Sequence, residues 1–419
     1  MKRAGALLLC ISLIFALASC GEAPTAALPG PVAPSAAAAA PAPTPTPEPQ
    51  TVTLTLAGDL VMHEGLNTEA RLSDGSYDYT RFFADVEPYI SRSDYSLCCL
   101  ESALTGGKIQ SYPLFTSPDE LAYSLKHVGF DLINTASNHA LDGHQSGLIR
   151  TLDVLDSAGL DHVGTYRTQA EYDENSGILV KEINGVSFAF LDYSYGTNGI
   201  PIYNYPYAVN LFSTSYMTTY VTPDYDKLAS DMAAARALDT DIIAVSIHWG
   251  AEYQTEPSAT QQRVADFLFE QGADLIIGGH PHVPQPMELR EIDNGDGTKR
   301  TGFLCYCLGN LLSTMKSDYT YLTALARIEL TKDPATGDTA ITGCSYVPVM
   351  MVNLANYGTA SAAGWQRQLW DIPAAIADYE SGDDRGGIIT PELYDDLQRG
   401  LADCERIFGP LAPPVRSGA

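Results

Sequence analysis

The sequence predicts an α/β protein of layered, mixed sheets. Three observations carry this: β-branched alternating stretches take turns with stretches of helical spacing, hairpin signals are interspersed, and polar clusters recur where apolar strands end. The chain has 419 residues, 45% of them hydrophobic, enough apolar material for one large core. "TVTLTLAGDLV" alternates, so a strand is expected over 51–57. "SPDELAYSLKHVGF" sets a serine cap and a first-turn proline ahead of helical spacing. "DLINTASNH" reads as a short strand entering a polar loop, and "HQSGLIRTLDVLDSAGL" as an amphipathic helix ending at Gly159. "GILVKEINGVSFAFLDYS" is a hairpin turning at Asn184-Gly185. Helix "DYDKLASDMAAARAL", strand "DIIAVSIHW", helix "ATQQRVADFLFEQGA" and strand "DLIIGGH" follow. "ELREIDNGDGTKRTGFLCYCLGN" holds two strands around an Asp/Asn/Gly turn, and "YLTALARIEL" with "AITGCSYVPVMMV" makes another hairpin. One large domain is expected over 51–355, and 356–419 as a C-terminal extension of helices and loops.

The N-terminus has a different character. "MKRAGALLLCISLIFALASC" pairs a basic start at Lys2 and Arg3 with an apolar stretch over 4–18. A membrane span needs about 20 residues, so 1–19 reads as a secretory signal. Its end, "LASC", resembles a bacterial lipoprotein box, which implies cleavage before Cys20 and lipidation of that cysteine. Residues 21–50 hold nine prolines and ten alanines. Such a segment favours extended polyproline II, and at ~3.1 Å per residue reaches on the order of 90 Å. Residues 20–50 are therefore expected to be an unstructured tether. It would stand the domain off the extracytoplasmic face of a bacterial cell membrane. Export permits disulfides. The spacings of Cys98, Cys99, Cys305, Cys307, Cys344 and Cys404 match no paired zinc motif, and their apolar surroundings favour buried thiols, with pairing left open.

A formal charge of −27 disfavours a nucleic-acid partner, because such proteins neutralise phosphates with basic patches. It also repels a bare polyanion unless metals or local cations intervene.

Five polar clusters fall at strand ends, where open α/β sheets bind ligands: "AGDLVMH" with Asp59 and His63, "CCLES" with Glu101, and "ASNHALDGH" with Asn138, His139, Asp142 and His144. The others are "SIHWGAEY" with His248 and Glu252, and "GGHPH" with His280 and His282. Singly, each admits a structural role: Asp59 as a turn residue, Glu101 as a helix cap, His248 as a core imidazole. His280 and His282 are harder to dismiss. On an extended segment, residues i and i+2 point the same way. Gly278 and Gly279 would give the chain its tight turn, and Pro281 would keep His280 out of the helical region. Together these oxygen and imidazole donors suit two divalent ions such as Mn²⁺, Fe²⁺ or Zn²⁺.

Taken in order, Asp59, Glu101, Asn138-His139, His248 and Gly279-His280-Pro281-His282 resemble the capsule-synthesis CapA family of the calcineurin-like metallophosphoesterase superfamily. The resemblance runs over roughly 52–315, with further support in "IHWGAEY", "GADLIIGGHPHVPQPME" and "CLGNLL". It implies a four-layer α/β/β/α sandwich of two mixed sheets. It also implies that Asp59 and His282 bind one metal, that Glu101 bridges, and that Asn138, His248 and His280 hold the second. His139 would then donate a proton or stabilise developing charge, oriented by Asp142. Three departures stand out. The superfamily's Asp-x-His becomes "DLV", with His63 as an additional candidate four residues on; the bridging acid is Glu101; and Cys99 stands where the group commonly has Asn. The functional expectation is a surface-anchored lipoprotein serving synthesis, export or anchoring of a capsule polymer such as poly-γ-glutamate. Its partners would be that polymer or another anionic cell-wall polymer, the membrane, and other capsule-synthesis membrane proteins. The alternative is a secreted metal-dependent phosphoesterase or cell-wall polymer hydrolase.

Overall fold

In the computed structural model, residues 48–411 are described, apart from 221, 362 and 363. Cys20, the signal and most of the tether lie outside the described residues. In chain order the elements begin β1 (Gln50–Leu60), α1 (Glu64–Ala70), α2 (Glu87–Ser91), β2 (Tyr95–Leu100), α3 (Glu120–Val128) and β3 (Leu132–Asn134). There follow α4 (His144–Ala158), β4 (Asp161–Val163), α5 (Gln169–Glu174), β5 (Leu179–Ile183), β6 (Val186–Ser194), α6 (Tyr225–Ala237) and β7 (Ile242–His248). Next come α7 (Ala259–Glu270), β8 (Leu275–Gly279), β9 (Met287–Asp293), β10 (Lys299–Cys305) and β11 (Asn310–Leu312). The chain ends with β12 (Leu322–Lys332), β13 (Thr339–Asn353), β14 (Arg367–Asp371), α8 (Ile372–Glu380) and α9 (Pro391–Phe408).

Two mixed sheets result. The first has the order β14-β13-β12-β1-β2-β3-β4, with β11 also pairing β1, and β1 to β4 run parallel. The second has the order β5-β6-β7-β8-β10-β9, with β6, β7, β8 and β10 parallel. Strand alternation decides what lies between them. Val52, Leu54 and Leu56 of β1, Leu97 of β2, Phe188 and Phe190 of β6 and Leu275 and Ile277 of β8 meet in one inter-sheet core. The intervening residues face outward. Cys98 and Ile133 pack under the helices of the first sheet with Leu125 of α3 and Leu152 of α4. Val245 and Ile276 pack under those of the second with Met232 of α6 and Leu268 of α7. The layers are therefore helix, sheet, sheet, helix, the sandwich the resemblance implies.

Several elements form where local sequence calls for them. α4 stops at Gly159, which takes the left-handed conformation. The β5–β6 turn is Asn184-Gly185, both with positive φ. Ser258 and Gln261 close a capping box at the start of α7. Beyond 356 the expectation of helices and loops alone is corrected: β14 adds an antiparallel strand beside β13. α8 and α9 lodge Ile372, Leu393, Leu397 and Phe408 in the inter-sheet core, so the extension helps close that core. Among the described residues no helix is long and apolar enough to cross a membrane.

Candidate metal centre

The parallel strands of both sheets end at one rim, and there their inner faces change from apolar to polar. On β1 the change needs a defect. Leu56 pairs with Leu97, but Asp59, three residues on, pairs with Cys99, only two residues on. That extra residue is a β-bulge, which resets the alternation so that Asp59 joins Leu54 and Leu56 on the inner face. The strand consequently reaches Leu60 and carries Asp59 within it, rather than stopping at 57. Gly58 sits at the bulge because a Cβ there would lie 2.0 Å from the Gly309 carbonyl oxygen. Cys99 on β2 and Glu101 just past its end follow Leu97 at two-residue spacing, and on β7 His248 follows Ala244 and Ser246.

The turn after β8 departs from expectation. Gly278 and Gly279 are the last residues of the strand, and it is His280 and His282 that take positive φ, 96° and 61°. The two imidazoles therefore project from a strained left-handed turn, not from an extended segment. The glycines serve close approach instead. A Cβ on Gly278 would lie 2.0 Å from the Tyr306 carbonyl oxygen, and one on Gly279 would lie 2.6 Å from Asp59 Oδ1. His280 N–H donates to Asp59 Oδ2 at 2.9 Å, which stitches the first sheet to the second.

Glu101 is fully buried, and among the described residues neither carboxylate oxygen has a hydrogen-bond partner. Its Oε1 lies 3.7 Å from His248 Nε2 and 4.0 Å from His282 Nδ1. His248 Nε2 is also 2.8 Å from Asn138 Oδ1. His280 Nδ1 is buried without a partner, its ring 4.9 Å from that of His248 and 5.7 Å from that of His282. Two groups bring potential ligand atoms within 4.8 Å of one another: Asp59, Glu101 and His282, and Asp59, Cys99 and His248. Asp59 is common to both.

Electrostatics mark the same cluster. Burial pushes the Asp59 carboxyl up to about 6 against the pull of the His280 N–H. Burial, then the facing Asp59 charge, pushes Glu101 well above the carboxylate range. Burial and neighbouring imidazoles hold His248 and His280 well below the usual histidine value, and burial brings His282 down to about 4. Buried carboxyls that resist ionisation beside neutral imidazoles lack a cation, and orphaned oxygens on Glu101 lack a partner. A divalent ion supplies both, so the residues present fit it.

Around the cluster, His139 Nδ1 is 2.7 Å from Asp142 Oδ2, which also accepts the Phe115 N–H at 2.5 Å. Phe115 packs edge-on against both His139 and His63. His63 Nδ1 lies 3.0 Å from the Val61 carbonyl oxygen and donates to it, and His63 belongs to neither ligand group. His144 and Glu252 are exposed. Four participants were not singled out from sequence. Asn310 accepts from His282 Nδ1 at 3.0 Å while its own amide donates to Thr320. Asn198 donates toward His139 and accepts from Asn138. Asp192 accepts the Ala136 N–H across the sheets, and Tyr195 lies 4.5 Å from the His280 ring. The usable signals were an aspartate inside the apolar "FAFLDYS" and the asparagine of "CLGNLL".

The chain is similar to several known proteins. The chain is 26% identical over 266 residues to capsule biosynthesis protein CapA of Bacillus anthracis, covering 61% of this chain and 58% of that one. It is 28% identical over 283 residues to PGA biosynthesis protein CapA of Bacillus subtilis (strain 168), covering 66% and 67%. The alignment thus spans less than two thirds of the anthracis protein's length. Among solved structures, a novel phosphatase from Mycoplasma pneumoniae is similar at a TM-score of 0.41 and 15% identity, over 72% of this chain and 95% of that one. The calcineurin-like phosphoesterase YfkN from Bacillus subtilis is similar at 0.39 and 16%, over 72% and 91%. A family model, bacterial capsule synthesis protein PGA_cap, matches residues 53–315, which is more than half of the chain, and the chain belongs to that family.

Proposed function

We propose that the protein is a lipid-anchored capsule-synthesis factor on the extracytoplasmic face of a bacterial membrane. It would act in synthesis, export or anchoring of a capsule polymer such as poly-γ-glutamate through a centre of two divalent ions. The observation that carries this is Glu101, a buried carboxylate with two unpartnered oxygens set between His248 and His282. Family membership supports the capsule role. The donors for the ions are Asp59, Glu101, Asn138, His248, His280 and His282. Mn²⁺, Fe²⁺ or Zn²⁺ suits such a mixed set. Metal-bridged contact would reconcile an anionic polymer with the −27 charge of the chain. Cys20 would be the anchor and the Pro/Ala tether the spacer, with other capsule-synthesis membrane proteins within its reach.

A second reading, hydrolysis of a phosphoester or a cell-wall polymer, is favoured by one specific feature. Asp142 is pinned by the Phe115 N–H and fixes the His139 ring through Nδ1, which leaves Nε2 to exchange a proton with a reacting group. A bound ion pair supplies water activation and charge stabilisation in such chemistry. The test is to purify the chain, count its bound metals, and assay a generic phosphodiester alongside poly-γ-glutamate. Polymer binding with no turnover under Mn²⁺, Fe²⁺ or Zn²⁺ supports the first reading. Turnover lost by about 10²–10⁴-fold in His139→Ala, with metals retained, supports the second. A chain that neither carries nor rebinds a divalent ion overturns both.

A further inference from the structure

We propose that Cys99 is a metal ligand: with Asp59 and His248 Nδ1 it forms a sulfur-containing position one step deeper between the sheets than Glu101, and Asp59 bridges the two ions. The inference rests on the two-ion reading and assigns the second ion's ligands. Strand register places the Asp59 and Cys99 Cα atoms opposite each other on neighbouring parallel strands. The bulge turns Asp59 to the same inner face. Asp59, Cys99 and His248 bring ligand atoms within 4.8 Å of one another.

The hydrogen bonding of His248 selects its deeper nitrogen. Asn138 Nδ2 donates to Asn198 Oδ1 at 3.1 Å, so Asn138 Oδ1 is the atom that faces His248 Nε2 at 2.8 Å. Nε2–H donates there, and the Nδ1 lone pair is left toward Cys99 Sγ, 4.0 Å away. That separation is long for a hydrogen bond to sulfur. It is close to the roughly 3.6 Å expected between sulfur and nitrogen on one tetrahedral ion, from metal–ligand bonds of about 2.3 and 2.0–2.1 Å. Beside these atoms lies a cavity of about 20 Å³ where Asp59, Cys99, His248, Asn134 and Asp192 meet apolar Ala57, Ile247 and Ile277. The Asn134 Oδ1 is buried without a hydrogen-bond partner. An orphaned oxygen and three convergent donors describe a place for an ion. It also answers the missing histidine two residues after Asp59: Val61 stands there, fully buried, and the sulfur arrives from the neighbouring strand. A thiolate favours Zn²⁺, Fe²⁺ or Co²⁺ at this position over Mg²⁺ or Ca²⁺.

The full chain, stripped of metal and reloaded with Co²⁺, should show a near-ultraviolet sulfur-to-cobalt charge-transfer band. The band should vanish in Cys99→Ser and persist in Cys344→Ser, whose sulfur lies on β13. Bound zinc should fall from two ions to one per chain in Cys99→Ser while Cys344→Ser keeps two, and X-ray absorption of the zinc protein should find one sulfur at about 2.3 Å. Circular dichroism of each variant checks folding, and Cys99→Asp should restore the second ion without the band. Two bound ions with only nitrogen and oxygen neighbours overturn the assignment and leave the two-ion reading standing, as does retention of both ions in Cys99→Ser. A chain that binds no divalent ion overturns both.

Discussion

At one end of the space between the sheets, Leu54, Leu56, Leu97, Phe188, Phe190 and Leu275 interlock with almost no exposure. At the other end, on continuations of the same strands and on the same inner faces, stand Asp59, Cys99, Glu101, Asp192 and His248. Both ends are largely excluded from water, but the polar end departs from regular strand geometry at the Gly58 bulge and at the left-handed turn of His280 and His282. The apolar end gains about 1.5–3 kcal/mol for each large side chain it buries. The polar end gains nothing comparable, because a buried carboxyl without a partner carries its desolvation cost in full. The first region accounts for why the chain folds. The second is tolerated because the first is large, and it holds together by strand ends and a stitch such as His280 N–H to Asp59.

Substituting one residue at each end separates the two most strongly. Leu54→Ala should destabilise the fold by about 2–5 kcal/mol, through lost burial and a cavity, and leave metal affinity unchanged in the folded protein. Glu101→Gln should do the reverse. It removes the buried acid, so the metal-free melting temperature should hold or rise, while metal affinity falls by more than the 10–100-fold that loss of a residue behind a ligand costs. Calorimetric melting and metal titration on the two variants decide it. If Glu101→Gln melts well below the parent without metal, the contrast between the ends is broken.

A smaller effect tests how the polar end is held in shape. Asn310 anchors its amide on the Thr320 carbonyl and turns its oxygen to His282 Nδ1. His282 Nδ1 therefore carries the proton, and Nε2 keeps its lone pair for a ligand role. Asn310→Ala should free the ring and weaken metal binding by about 10–100-fold. Asn310→Asp should recover most of it, since a carboxylate accepts the same hydrogen bond. Equal affinity in all three proteins would show that the ring needs no such support.

The apolar end was legible from sequence because period-two alternation encodes it directly. β5, β6, β7, β8, β9, β10, β12 and β13 all stand where alternation and turn signals place them. The polar end was legible only as a set of residues gathered at strand ends. Its geometry rests on features that periodicity does not report. The one-residue bulge at Gly58 decides which way Asp59 faces. The left-handed turn at His280 and His282 runs against the expectation for non-glycine residues, and Gly278 and Gly279 are small for the sake of Tyr306 and Asp59, distant in sequence. β14 was missed because its five residues follow an irregular segment and pair only with β13. Asn310 and Asp192 were missed because each acts through a partner that only the fold supplies.

The mildest test is pH, where the two kinds of group at the polar end respond oppositely. In the metal-free fold the Asp59 carboxyl sits at about 6 against an ordinary 3.8. A raised value contributes stability below the unfolded value and loses it as pH climbs through 6. His282 sits at about 4 against 6.5, and a depressed value contributes stability above 6.5 and loses it as pH falls through 4. Between 4 and 6 the two trends oppose, so metal-free stability should vary little from this pair. Metal binding removes the cancellation. An ion needs Asp59 ionised and His282 neutral; above 4 the imidazole already is, whereas below 6 a proton competes for the carboxylate. With Glu101 raised further still, the decline in affinity should start above 6 at about tenfold per pH unit, and should steepen to about a hundredfold per unit from 5.5 to 4.5, where both carboxyls must lose a proton. A zinc titration flat from pH 7.5 to 4.5 would mean that neither carboxyl meets the ion.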